Sequence, residues 1–372
     1  MATPDTNQTH AFPRRGRAAC SNTTGRYETE KREAFDDGWD EPPGDEKRRM
    51  LIKTTVQNET PRKIINYVES PFVSFDRSIN PYRGCEHGCV YCFARSTHAH
   101  YGLSPGLDFE TRLFAKPNAA LLLRRELSAR QYQPNTIAIG TNTDPYQPIE
   151  RRHRIIRQIL ETIVAFRHPV SILTKSSLIE RDIDVLSELV PFDAVKAMVS
   201  VTTLEPKLAR AMEPRASAPH KRLEAVSALA KAGIPTGVMV SPMIPGLNDC
   251  ELDRLLAAAK DAGAQFVGTS IIRLPMEVAP IFREWLDATQ QDKASKVMRQ
   301  IREMNGGRDY DPKWSRASEP RSVMAKLIRK RFNAAARRLE LSTEIPSLSA
   351  KAFRKPVEKG DQLSLFGESC AQ

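Results

Sequence analysis

Arg83-Gly84-Cys85-Glu86-His87-Gly88-Cys89-Val90-Tyr91-Cys92 puts three cysteines within eight residues, and the next cysteine downstream is Cys250. The spacing C-x3-C-x2-C can hold three corners of a cubane iron-sulfur cluster and leave the fourth iron without a protein ligand. A cluster that only carries electrons is normally closed by four cysteines, so an open iron points to a molecule that binds the metal directly. Gly84 and Gly88 let the chain turn tightly and bring amide N–H groups near the sulfurs, which a buried anionic cluster requires. Two other readings stay open: a structural zinc site completed by His87, His98 or His100, and three unrelated thiols. Structural zinc knuckles usually present their ligands as two separated pairs, and this chain has no second pair.

Working outward, a strand-like stretch at 72–79 runs through Asn80-Pro81-Tyr82 straight into the loop. Downstream, amphipathic helical patterns at 118–130, 150–166, 178–189, 219–232 and 249–262 alternate with apolar runs at 136–139, 170–173, 194–201, 237–240 and 266–272. Gly233 and Gly263 end two of these helices, and Asp249 opens one. Six strands alternating with helices imply a parallel sheet, and six units leave a barrel incompletely closed. Chemistry in such barrels gathers at the C-terminal ends of the strands. The residues there are Gly140 to Glu150, Thr174-Lys175-Ser176, Ser200 to Glu205 and Ser241 to Asp249. Ser, Thr, Asn and Asp at such places also serve as ordinary caps and turns.

With Tyr91 just before its last cysteine, the loop resembles the signature of the radical S-adenosylmethionine (SAM) enzymes. The wider string Ser78-Ile79-Asn80-Pro81-Tyr82-Arg83-Gly84-Cys85-Glu86-His87-Gly88-Cys89, followed by Ser104-Pro105-Gly106-Leu107-Asp108-Phe109-Glu110, is similar to a bacterial radical SAM group often labelled DNA repair photolyase-like, whose best-known relative is spore photoproduct lyase. The resemblance implies an α/β fold, a partial (β/α)6 TIM-type barrel, with Cys85, Cys89 and Cys92 holding a [4Fe-4S] cluster. It further implies that SAM chelates the open iron and is cleaved to a 5′-deoxyadenosyl radical, with electrons from a reducing partner such as flavodoxin or ferredoxin. Lys175 is the position expected to touch the SAM carboxylate, helped by Ser200, and Tyr91, Thr143 and Asn248 complete the expected cofactor-binding set. One departure matters. The lyase returns hydrogen to its substrate through an additional cysteine near the end of its second strand, where this chain has Gly140-Thr141-Asn142-Thr143 and no thiol. Tyr146 is the remaining candidate for a catalytic donor, set against a plain turn role between two prolines.

The 372 residues can build one large domain of ~200–250 residues with extensions. Mean hydropathy is −0.45, and no apolar run approaches the ~20 residues a membrane span needs. Without a secretory apolar stretch, and with three of six cysteines in one loop, a reducing cytoplasmic setting is expected. Cys20 and Cys370 read as free tail thiols, and Cys250 as a residue near a helix start. The expected organisation is an irregular arm at 1–66, a poor place to look for catalysis; a core at 67–290; a basic helical extension at 291–345; and a flexible tail at 346–372. A formal net charge of +11 would attract a polyanion. It concentrates in Arg151-Arg152-His153-Arg154 and in Arg321, Lys326, Arg329, Lys330, Arg331, Arg337 and Arg338, with Arg14-Arg15-Gly16-Arg17 adding to the arm. In the tail, Gln362, Leu363, Leu365 and Phe366 of Gln362-Leu363-Ser364-Leu365-Phe366 resemble the bacterial pentapeptide that binds the DNA sliding clamp. Together these imply a radical SAM enzyme acting on DNA. The alternatives are a radical SAM enzyme on RNA, protein or a small molecule, and a non-enzymatic iron-sulfur DNA accessory protein.

Overall fold

Short runs rich in Val and Ile, which favour strands buried on both faces, build the main sheet of the computed structural model, which describes residues 14–29, 51–69, 73, 75–315 and 322–356. In chain order the strands are β1 Thr55–Asn58, β2 Ile65–Tyr67, β3 Arg77–Ile79, β4 Tyr82–Arg83, β5 Arg112–Ala115, β6 Ile137–Ile139, β7 Val170–Thr174, β8 Val195–Ser200, β9 Thr236–Met243 and β10 Phe266–Ile271. The main sheet runs β2-β3-β6-β7-β8-β9-β10. Strands β3, β6, β7, β8, β9 and β10 are all parallel, and β2 pairs antiparallel at the outer edge of β3. Helices fill the crossovers: α1 Ala119–Ser128, α2 Ile155–Ala165, α3 Ile183–Ser187, α4 Pro219–Lys231 and α5 Leu252–Asp261. The last strand does not bond back to the first among the described residues, so six units form a partial (β/α)6 barrel.

Two helical patterns break where a local cap intervenes. The 150–166 pattern splits at Arg154, which takes a left-handed conformation (φ 50°). The carboxylate of Glu150 then accepts the N–H groups of Ile155 (3.0 Å) and Ile156 (3.2 Å), satisfying donors that α2 leaves open at its start. Ahead of α3, residues Ser177–Asp182 form a 3-10 turn in which Ser176 accepts the Leu178 N–H. Within the expected strand at 72–79, the described strand is β3, Arg77–Ile79. A second sheet, β1-β5-β4, lies outside the sequence reading: its short strands carry no alternating pattern, and β1 comes from the segment read as an irregular arm.

After β10 come α6 Val278–Thr289, α7 Gln291–Met304 and α8 Val323–Arg338. Ile328, Phe332, Ala335 and Ala336 bury one face of α8, while Arg331 and Arg338 bond Asp253 of α5. The basic extension is therefore partly a docking face. One core fills the barrel; a second gathers α6, α7 and Ala18, Ala19, Cys89, Val90 and Tyr91. Arg321, Cys370 and the clamp-like residues Gln362, Leu363, Leu365 and Phe366 lie outside the described residues. Among those described, no helix is long and apolar enough to cross a membrane.

Candidate active site

The cysteine loop follows β4, on the path from the C-terminal end of β3. Gly84 (φ 70°) and Gly88 (φ 66°) turn it, and both are sterically fixed. A Cβ on Gly84 would sit 2.9 Å from the Phe109 carbonyl oxygen, and one on Gly88 would sit 2.8 Å from Glu110 Oε2. The backbone closes on itself through Gly88 N–H to Cys85 O (3.2 Å) and Cys92 N–H to Cys89 O (3.2 Å). Gln147 reaches in from the segment after β6, accepting the Glu86 N–H (2.8 Å) and donating to Gly84 O (3.2 Å). Burial raises the pKa of all three thiols, to about 12 for Cys89. Backbone amides pull the other way: that of Asp144 on Cys85, and those of Ala94 and Arg95 on Cys92.

Arg95, fully buried, grips the loop from behind. Its guanidinium donates to Cys89 O (2.9 Å), Gly88 O (2.9 Å), Pro105 O (3.1 Å) and Gly106 O (3.0 Å), and pairs with the buried Glu110 at 2.5 Å. Glu110 in turn accepts the N–H groups of Ala18 (3.1 Å) and Ala19 (2.9 Å). Residues 17–20 are thus a buried clasp, and Cys20 is enclosed rather than a loose tail thiol.

Across the loop stand the ends of β6, β7 and β8. Glu213, buried, receives the Tyr91 hydroxyl, the Thr202 hydroxyl (2.7 Å) and the Arg222 guanidinium. Burial works against its charge, but Arg222 and Lys175 outweigh burial and hold its pKa low. Burial and Glu213 together push Tyr91 well above the usual phenol range, so Tyr91 remains a donor. Lys175 keeps its proton despite burial, because Cys89 and Glu213 lie nearby. Its ammonium makes no hydrogen bond among the described residues and sits 5.9 Å from the Tyr91 ring centroid. Asp144 is opposed by burial, yet His87 (3.3 Å) and the donors Thr174 Oγ1 (2.6 Å) and Lys175 N–H (2.7 Å) lower its pKa to about 2.

The model of the radical SAM superfamily matches residues 79–259, which span the loop and four of the five crossovers. The chain belongs to the radical SAM superfamily. An uncharacterised protein of Mycobacterium tuberculosis (strain H37Rv) is 38% identical over 224 residues, 60% of this chain and 66% of that one. One from Methanocaldococcus jannaschii is 30% identical over 202 residues, 54% and 73% respectively. Among solved structures, a mutant of spore photoproduct lyase with bound AdoMet and dinucleoside spore photoproduct superposes with a TM-score of 0.53 at 15% identity, covering 77% of this chain and 80% of the lyase. At that identity the likeness is one of fold. The enzyme's cofactors are those of the superfamily, a [4Fe-4S] cluster and SAM.

The residues of this radical SAM enzyme fit such a cluster. Burial raises the pKa of all three thiols, and Cys89 and Cys92 add to the rise at Cys85, so the three cannot ionise together without a cationic group between them, and amide N–H groups already face two of the sulfurs. Among the described residues no three His, Cys, Asp or Glu side chains converge on a point that would hold a single ion. The histidines that could complete zinc are engaged elsewhere: His87 with Asp144, His98 through Nε2–H to Arg112 O (2.9 Å), and His100 against the Tyr27 ring.

Of the residues singled out from sequence, Tyr91 and Lys175 stand beside Cys89, and Ser200 is buried at the end of β8. Thr143 gives its hydroxyl to Tyr82 O (3.0 Å). Asn248 folds the turn after β9, accepting the Ile244 N–H (2.7 Å) and donating to Thr202 O (2.8 Å) and Pro242 O (3.0 Å). Tyr146 is 1% exposed within the barrel core, its hydroxyl pKa pushed up by burial and Asp182. Sequence reading missed Glu213, Arg222 and Arg95, and it named Gln147 only within the segment 140–150. It quoted Glu110 only as part of a string, and it set aside the arm that supplies Ala18 and Ala19.

Proposed function

We propose that this radical SAM enzyme holds its cluster through Cys85, Cys89 and Cys92, receives the SAM carboxylate at Lys175, and acts on DNA. The observation that carries the first two parts is a single one: an ammonium without a hydrogen-bond partner among the described residues stands beside Cys89, in a loop whose three thiols burial holds protonated until a cationic group joins them. When bound and reduced, the cluster and SAM supply a 5′-deoxyadenosyl radical that abstracts hydrogen from substrate. The chain's own residues prepare that event. Tyr91, fixed by Glu213, closes one side of the cysteine loop. Ser200, the last residue of β8, stands where a further hydrogen bond to SAM is available, while Thr202 helps fix Glu213 (2.7 Å). Asn248, and Thr143 through Tyr82 O, keep the turns around the site in place.

DNA as substrate is supported by the net charge of +11, by the clamp-like tail, and by a fold shared with a lyase solved with a dinucleoside photoproduct. The missing thiol at 140–143 argues for a reaction other than repair of spore photoproduct by the lyase's hydrogen relay. Anaerobic reconstitution with iron and sulfide, then dithionite and SAM, tests the reading. The expected result is four irons and four sulfides per chain and 5′-deoxyadenosine, formed faster when DNA is present. One zinc per chain without sulfide overturns the cluster assignment. Stimulation by tRNA and not by DNA overturns the substrate.

A further inference from the structure

A cavity of about 350 Å³ opens between the Arg14–Arg17 turn, the C-terminal end of the helix Pro206–Met212 with Pro214 beyond it, and α6. Among the described residues, its lining includes Arg14, Arg15, Arg17 and Arg210 and no carboxylate. Trp285, buried, forms part of its floor and is pinned by an indole N–H to Ala211 O bond of 3.0 Å. The arginines are presented by built structure. Arg17 donates to Glu110 O (2.7 Å), Ile52 O (2.7 Å) and Thr54 Oγ1 (2.8 Å), and the carboxylates of Glu110 and Glu86 lie near enough to offset part of its charge, so Arg17 anchors the turn. The turn closes by Arg17 N–H to Arg14 O (3.0 Å), with Gly16 at φ 71°. Arg15 and Arg210 are exposed and make no hydrogen bond or ion pair among the described residues.

The cavity also neighbours the chemistry. Between Ala211 and Pro214 of its wall lie Met212, whose carbonyl accepts the Val90 N–H (3.0 Å), and Glu213, which holds Tyr91. The guanidinium groups of Arg15 and Arg210, without an acid partner among the described residues, suit phosphate oxygens, which accept paired N–H bonds. The volume, at the low end of the ~300–1,000 Å³ of small-molecule sites, suits one phosphate with its sugar. We propose that this cavity grips a backbone phosphodiester of the DNA strand that presents its nucleotide to the cysteine loop. The proposal rests on the DNA reading above and names the contact that reading lacks.

The test uses the full chain with its cluster reconstituted, a fluorescently labelled single-stranded oligonucleotide, and anisotropy across a salt series. Arg15→Ala/Arg210→Ala is expected to weaken binding about tenfold or more and to flatten the slope of log affinity against log salt by about 1.4, two phosphate contacts at ~0.7 each. Arg15→Lys/Arg210→Lys keeps most of the slope. Iron and sulfide content stay at the wild-type level. An alanine pair with the wild-type slope overturns the cavity while leaving DNA as substrate intact. Failure of the wild type to bind DNA at low salt overturns both. A free mononucleotide that competes as well as the oligonucleotide at equal phosphate reassigns the cavity to a small nucleotide and overturns the strand contact. Loss of iron in the alanine pair also overturns it, by making these arginines part of the clasp on the cluster loop.

Discussion

In the barrel, Val199 of β8 is surrounded by residues of its own kind, bonded to neighbouring strands in a register that repeats from unit to unit. In the loop 84–92 nothing repeats: its backbone hangs on Arg95, on Gln147 and, through Tyr91, on Glu213, each arriving from a different part of the chain. Apolar packing is diffuse, so a lost methyl is felt as stability. Charged anchoring is local, so a lost anchor is felt as geometry at the thiols. The two regions should therefore fail differently.

The sharpest way to break the contrast is Arg95→Ala. It strands the Glu110 carboxylate, buried and unpaired, and frees four carbonyls, costing about 3–5 kcal/mol. Iron per soluble chain should fall with it, measured after anaerobic reconstitution. Ile159→Ala, in the core of α2, should cost a comparable ~2–5 kcal/mol in denaturant midpoint yet leave iron per folded chain unchanged. Equal iron loss in both variants would erase the distinction.

The bottom of the barrel offers a pH handle that the loop lacks. His168 is buried, bonded to Tyr132 (2.7 Å) and Pro169 O (3.0 Å), and burial lowers its pKa from 6.5 to about 4. The unfolded chain binds the proton first, so this contribution is complete above pH 6.5, declines as pH falls to 4 and is gone below. It amounts to about 3 kcal/mol. Urea midpoints for wild type and His168→Gln should converge over that window. The smallest effect on the fold is expected from Lys175→Met. Melting and iron content stay near wild type while the SAM concentration for half-maximal cleavage rises roughly 10- to 150-fold, the worth of one charge-assisted hydrogen bond at ~1.5–3 kcal/mol. A variant that melts early instead would make Lys175 a strut of the loop.

The same contrast explains what could be read from the chain beforehand. All six parallel strands and their order were legible because apolar runs of the right length alternate with helical periodicity, and glycines such as Gly233 (φ 77°) and Gly263 (φ 92°) mark helix ends. The thiols were legible because their spacing is local. Glu213 and Arg222 were not, since a charged residue in a helix or a turn looks the same whether solvated or buried, and what ties the pair to the loop is a contact from Glu213 to Tyr91, more than a hundred residues away. Nor were Ala18 and Ala19, which act through backbone N–H groups that every residue possesses.

Glu213 and Arg222 have a temporal consequence. The cysteines are made early, but the carboxylate that steadies Tyr91 and the guanidinium that neutralises it are translated more than a hundred residues later. A nascent chain that has emerged only through its first two crossovers exposes thiols with no finished lining, open to oxidation or to stray metals. Only a chain folded past residue 222 presents these thiols with Tyr91, Glu213 and Arg222 already in place around them.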